Sequence, residues 1–511
     1  MSQSTVKKIP NNYFDGMPVT GFHKIVFFII MMAYFCEQMD NWNFGFIAPA
    51  LMHTWGLQMS DIGVVTLWYF IGMTAGGFFG GVISDFIGRR KTFLISIATF
   101  SFFSVLNGFT DNFHVFVIAR SMTGFGVFCL MVCSQAYIAE MAPAESRGKW
   151  QNLVAAVGFS AVPVIGVMCR AIIPLAEEAW RFIFYFGGVG LIAFFVGLRY
   201  LKESPRWLVA LEEAEQVVFE ITGKHVDLSE AAKNVQTKVP VMEVLTGMFR
   251  RQYIKRTLVL LAIVVFTNPA TFTVTNWTAT LLKAHGFSLE DSLMATTIIS
   301  VGVPAGLFFS SFVTDLGGRK IPIMCMLIIL AVLGPIFGNM TGYWPVVLTG
   351  AVVMAMGFTV FSYTAESYPT RMRNTATGFH SSTGRLAVAA AQPLIPMAYA
   401  AYSFDGVFWI FSFLCFVPAV VIAIWGQRTG GKPSWIQGGG HFSEGAFPFP
   451  RSPSSLLQWR TMGSPPTGTD RREKRFRGNI RQTFFHVWKE RNQSGGHHGS
   501  PDYLSYRRHR I

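Results

Sequence analysis

The chain has 511 residues, 51% hydrophobic and only 14% charged, with a mean hydropathy of +0.39. Soluble domains carry about 25% charge, so this composition weighs against a water-soluble fold and points to a polytopic membrane protein. The net charge of +14 is unevenly placed: Gln427 to Ile511 holds 15 Lys and Arg against 5 Asp and Glu, which leaves +4 for the apolar body. Without an RNP, zinc or helix-turn-helix pattern, that basicity argues for no nucleic-acid partner.

In chain order, a polar N-terminal segment (1–23) precedes segments long and apolar enough to cross a bilayer as helices. They cover 24–50, 62–84, 91–110, 113–139, 150–173, 180–202, 255–282, 289–314, 320–341, 343–366, 375–400 and 403–426, twelve all-α spans. The first does not read as a cleaved signal peptide, since acids interrupt it and no small-residue site follows. A polar loop, 203–254, divides the spans into bundles at 24–202 and 255–426. The tail, 427–511, is basic and rich in Gly, Pro and Ser, and is expected to be disordered. The six cysteines lie inside apolar segments without CxxC spacing, so neither a disulfide framework nor a metal site is expected, and no cofactor.

Loops after the even-numbered spans hold Arg89, Arg90 and Lys91, Arg147 and Lys149, Arg319 and Lys320, Arg371 and Arg373, while the opposite loops hold few basic residues. The positive-inside rule therefore places both termini in the cytoplasm. The halves also repeat. Asp85 in GGVISDFIGRRK matches Asp315 in SSFVTDLGGRK at an offset of 230. Tyr137, Glu140, Pro143 and Arg147 match Tyr363, Glu366, Pro369 and Arg373 at an offset of 226. Two parallel six-helix repeats imply a cavity between them and rocking-type alternating access.

These residues resemble the major facilitator superfamily over about residues 20–430. The GxxxDxxGRRK run at Gly81 to Lys91 is similar to its loop motif, and KESPRWL at Lys202 to Leu208 resembles the end of the sixth helix in its sugar-porter-like branches. GFIAPAL at Gly45 to Leu51, preceded by Glu37 and Asp40, resembles the first helix of aromatic-acid/proton symporters, with Glu37 where their first Asp stands. Ser311 replaces a glycine of the loop motif in the second half. The resemblance implies the major facilitator fold with twelve transmembrane helices, a monomer in the plasma or inner membrane, and a first and fourth helix lining a central cavity.

Ionisable groups at mid-bilayer cost on the order of 2.5–3.5 kcal/mol on insertion scales, so each is a functional candidate. Glu37, Asp40, Asn41 and Phe44 share one helix face. At ~1.5 Å rise per residue, Asp40 and Arg120 reach comparable depths in the outer half of the bilayer. Asp40 or Glu37 is thus expected to pair with Arg120 and carry protons, with Arg120 gripping a substrate carboxylate through its planar fork. A static ion pair between helices is the alternative. Neutral groups for orienting a ligand are Thr267, Asn268, Asn276 and Trp277, with Trp68, Tyr69, Gln135 and Tyr363 as weaker candidates. Arg385, in a GRLAVAAAQP context similar to a motif of metabolite symporters, is a further substrate contact or a conformational partner. His380 reads as a packed histidine before a proton relay. Asp85 with Arg89 and Arg90, Asp315 with Arg319, Glu140 with Arg147, and Glu366 with Arg371 or Arg373 are expected to bridge the halves as an inner gate.

No P-loop, nucleophile elbow, metal cluster or dinucleotide fingerprint supports an enzyme. The reading is a secondary transporter that moves protons with a small organic anion, aromatic or sugar-acid-like. A sugar or polyol porter and a non-transporting sensor on the same fold are the alternatives.

Overall fold

The computed structural model describes residues 19–208, 214–223, 241–313, 319–338, 344–368 and 370–427, within one compact unit. Asp315 and the tail therefore lie outside the described residues. Twelve long helices make up the body: α1 (Gly21–Trp55), α2 (Met59–Ile87), α3 (Arg89–Phe109), α4 (Phe113–Met141), α5 (Ala144–Ile172), α6 (Trp180–Tyr200), α7 (Ile254–Ala284), α8 (Leu289–Val313), α9 (Lys320–Gly338), α10 (Trp344–Glu366), α11 (Thr370–Ala391) and α12 (Leu394–Trp425). No strand occurs among the described residues. Among the described residues eleven helices are long and apolar enough to cross a bilayer. The exception, α11, carries Thr, Arg, Ser and His along its first four turns. Large side chains such as Phe28, Phe78, Phe86, Phe102, Phe195 and Trp409 are exposed, as a lipid-facing surface requires.

One boundary differs from the sequence reading. The eleventh helix was expected to run 375–400, yet it spans Thr370–Ala391, and residues 394–402 belong to the next helical segment. Pro393 lacks the N–H that would continue the ladder, which accounts for the break. The chain then bends at Ser403, held at φ 58°, close to the predicted start of the last span.

Within each half the packing repeats contact by contact. A Cβ built on Gly72 or Gly76 of α2 would press into the α4 backbone at Ser121 and Phe125, and one on Gly124 of α4 would press into Tyr69. Gly302, Gly306 and Gly350 meet Val347, Ala351 and Ile299 across α8 and α10 in the same way. The glycines and their partners match at the offsets 230 and 226. Small residues let helix axes approach closely where lipid supplies no hydrophobic drive.

The ends that sequence assigns to the cytoplasm, here the inner ends, repeat as well. Arg89 Nε and Nη2 donate to Glu140 at 2.9 and 3.1 Å; Arg319 Nε and Nη2 donate to Glu366 at 3.0 and 2.8 Å. Arg90 reaches the Leu198 carbonyl of α6 at 2.8 Å, and Lys320 the Ala423 carbonyl of α12 at 2.9 Å. The Tyr137 hydroxyl donates to the Lys202 carbonyl, as Tyr363 does to Gln427. Each set braces the last helix of a half against the others.

Between the spans of the two halves, short helices Pro205–Leu208 and Ala214–Thr222 pack on the first bundle, with Lys202 paired to Glu220. A third, Val241–Met248, packs on the second, where Thr257 donates to the Met248 carbonyl at 2.8 Å.

Candidate functional site

α1 carries the centre. Asp40 accepts from Arg120 Nη1 of α4 at 3.2 Å, from Asn43 at 3.2 Å, and from the Ser104 hydroxyl of α3. The Arg120 and Asp40 side chains are 1% and 0% exposed. Gly187 makes room for this cluster: a Cβ there would collide with Ser104 and stand 3.4 Å from Asp40 Oδ1. α6 tightens into a 3₁₀ turn at Gly187–Val189, beside that contact. The Arg120 guanidinium lies over Tyr69, Phe44 and Phe184 at 4.4, 5.1 and 5.5 Å from the ring centroids, where the negative ring faces supplement its single carboxylate. Tyr69 donates to Asn41 at 2.9 Å.

Depth arithmetic thus brings Asp40 and Arg120 together, but Glu37 does not join Arg120. It is buried, with one oxygen 3.3 Å from Gln38 Nε2 and Oε2 without a partner. Its electrostatic neighbour in the other half is Arg385. Arg385 Nη1 donates to the Ser381 hydroxyl at 2.7 Å, and its guanidinium sits 3.5 Å from the centroid of Phe128 in α4. Asn268 of α7 packs against Gly384, next to Arg385, leaving no space for a Cβ there.

The other candidates separate by position. Asn276 is half-buried, and its backbone lies 3.0 Å from where a Cβ of Gly45 would stand, so α1 and α7 touch there. Gln135 is half-buried on α4. Trp277 is 1% exposed and donates to Gln392 at 2.7 Å, which makes it a packing tie between α7 and the end of α11. Tyr363 braces α12 at the inner end, far from mid-membrane. Among the gate residues, Arg89 bonds Glu140 and, at 2.8 Å, Asp85. These partners all lie in the first half, and the Arg319–Glu366 pair lies wholly in the second. The expected bridging between halves is thus not among the described bonds. Arg373 is half-buried with Nε making no hydrogen bond, and the Arg147 side chain lies outside what is described.

Besides Arg385 on Phe128, the halves meet through apolar and small residues. Near the outer ends Thr297 donates to the Gly166 carbonyl at 3.1 Å. Toward the middle, Phe70 meets Phe272 at 5.0 Å and Phe159 meets Phe358 at 5.4 Å, both edge to face. Sequence reading did not find Ser104, Asn43, Phe184, Phe128 or Ser381, whereas Phe44 stood on the face shared with Glu37 and Asp40 and Tyr69 was a weaker candidate.

Comparison with known proteins agrees with this architecture. The chain is 27% identical over 436 residues to the inner membrane metabolite transport protein YdjE of Escherichia coli (strain K12), covering 81% of this chain and 95% of that protein. It is 24% identical over 431 residues to the niacin transporter NiaP of Acinetobacter baylyi (strain ATCC 33305 / BD413 / ADP1), covering 82% and 97%. The crystal structure of a D-xylose-proton symporter superposes with a TM-score of 0.65 at 21% identity, over 81% of this chain and 100% of that one. The relatives are transporters, not enzymes. The model of the Major Facilitator Superfamily matches residues 30–391 and 294–469, and with its twelve-helix, two-repeat fold the chain belongs to that superfamily.

Proposed function

We propose that this multi-pass membrane transporter carries a small organic anion together with protons by alternating access. The observation that carries the reading is the charge content of the centre: two buried acids on α1 and two guanidiniums, Arg120 from the first half and Arg385 from the second. Guanidinium groups stay charged and hold carboxylates bidentately, which suits an anionic ligand bound between halves. A niacin transporter among the relatives fits a carboxylate-bearing substrate. Asn41, Asn268, Asn276 and Gln135, all half-buried, are polar enough to orient it. The Arg89–Glu140 and Arg319–Glu366 clusters act at the inner rim, where exchanging partners between halves would open or close the cytoplasmic side. The basic inner loops support cytoplasmic termini and residence in a cell or inner membrane, with the single chain as the working unit.

The test is uptake into proteoliposomes from a panel of aromatic carboxylates, sugar acids and neutral sugars. Carboxylates are expected to accumulate when the outside is the more acidic side, and a protonophore is expected to abolish that accumulation. Accumulation of neutral sugars alone would make the protein a sugar porter, and absence of any uptake or counterflow would make it a sensor; either outcome overturns the proposal.

A further inference from the structure

The two carboxylates of α1 are treated unequally by the fold. Asp40 is closed, with a guanidinium, an amide and a hydroxyl all donating to it. Arg120 is closed to solvent too, at 1% exposure beneath three aromatic rings and ion-paired through Nη1, although its Nε makes no hydrogen bond. A substrate carboxylate could reach it only by breaking a buried ion pair. Glu37, one turn nearer the inner end, is just as buried but has a single long contact, and Oε2 has no partner. A buried polar atom left unsatisfied costs about 1–3 kcal/mol and more for a charged group, so Glu37 Oε2 calls for a reason or a partner that arrives from outside the chain.

Across the boundary between halves stands a matching group. Arg385 is half-buried, bonds Ser381 with one nitrogen, and has Nε buried without a partner. It and Glu37 are electrostatic neighbours, yet no ion pair joins them. The other charged or titratable groups facing this pair are Tyr34 and Asp40 of α1, Tyr69 of α2 and, beyond Tyr69, Arg120 of α4. Two opposite charges, one from each half, thus stand in range with donor and acceptor atoms uncommitted. The amide of Asn268 lies beside Arg385 as a further group within reach of a ligand.

Resting on the symport reading above, we infer that Arg385 anchors the substrate carboxylate and that Glu37 takes up the transported proton when that anchor is filled, while Asp40 and Arg120 stay closed as a positioning pair. The reason is charge balance in a site where net charge is expensive. Unloaded, the carboxylate of Glu37 and the guanidinium of Arg385 sum to zero. When a monocarboxylate pairs with Arg385, the sum stays zero only if Glu37 gains a proton from external water; an O–H bond forms and nothing is oxidised or reduced. On the inner side the substrate leaves, that O–H bond breaks, the proton passes to cytoplasmic water, and Glu37 and Arg385 again balance each other. The consequence is one proton per monocarboxylate, and transport that moves no net charge.

The experiment uses the full chain in proteoliposomes, with a carboxylate that the wild type accumulates. Wild-type uptake should consume one proton per substrate and ignore an imposed potassium diffusion potential of either sign. Glu37→Gln should lose accumulation driven by the pH gradient while counterflow exchange stays measurable. Arg385→Lys should raise the half-saturating concentration for exchange about tenfold or more, as loss of a bidentate charged contact would. Should Glu37→Gln fail to reach the membrane, the neutral double variant Glu37→Gln/Arg385→Gln decides: it should insert and exchange no carboxylate at wild-type concentrations. Proton-driven accumulation by Glu37→Gln, potential-driven uptake by the wild type, or normal carboxylate exchange by the double variant would each overturn the inference. A wild type that accumulates no carboxylate under a pH gradient would instead sink the symport reading itself.

Discussion

Asp40→Asn is expected to lower the yield and melting temperature of the folded protein sharply, before any effect on coupling can be read. The substitution leaves Arg120 charged and 1% exposed, with the aromatic rings and a weaker amide oxygen in place of its carboxylate. Removing one partner of a buried ion pair typically costs about 3–5 kcal/mol, a large share of the ~5–15 kcal/mol that holds a domain together. Removing both charges avoids that penalty, so Asp40→Asn/Arg120→Gln should recover much of the yield. Thermal unfolding in detergent, followed by size-exclusion chromatography, checks both variants. A single variant that melts with the wild type would show that Asp40 is not the group holding Arg120 in place.

Gly76→Leu and Gly306→Leu should each abolish the folded state. A Cβ at Gly76 would stand 2.9 Å from Phe125 Cα, and one at Gly306 would stand 2.8 Å from Ala351 Cα. Both obstacles are backbone, so no rotamer change relieves them and the helices must part. Overpacking of side chains costs about 1–3 kcal/mol, and a backbone collision more. Gly378→Ala is the control, because no atom lies within 4 Å of a Cβ there; in a helix interior that change is expected to gain up to ~1 kcal/mol. Expression as a fluorescent fusion and monodispersity on size exclusion give the answer. A monodisperse Gly76→Leu protein would mean that α2 and α4 do not cross at these glycines.

The spans, their division into halves and the repeat were legible because bilayer thickness and duplication act on the sequence directly. α11 was legible despite its polar start through the apolar run that follows Arg385. The Asp40–Arg120 pair was legible because rise per residue converts sequence position into depth. Facing is harder: nothing in GRLAVAAAQP tells which side of α11 presents Arg385, so its approach to Phe128 and Glu37 needed the structure. Tyr363 was misjudged for a related reason. Its match to Tyr137 was recognised, but not that both tyrosines stand at the inner ends of their helices. The glycine crossings follow offsets already in view, yet a glycine is silent about which backbone it meets.

The inner-end braces have a consequence for connectivity. Arg89–Glu140, Arg90–Leu198 and Tyr137–Lys202 close within one bundle, and Arg319–Glu366, Lys320–Ala423 and Tyr363–Gln427 within the other. The short helices on either side of 224–240 likewise pack on the bundle nearest in sequence. Among the described bonds neither bundle borrows these braces from its sibling, so the chain segment between them serves as a tether. A cut between residues 223 and 241, with the two fragments co-expressed from separate genes, should leave partners that find each other in the membrane through the aromatic pairs and the Gly166 contact. Such a divided protein would open the interface between the bundles to titration, turning a motion inside one polypeptide into an association whose strength can be weighed.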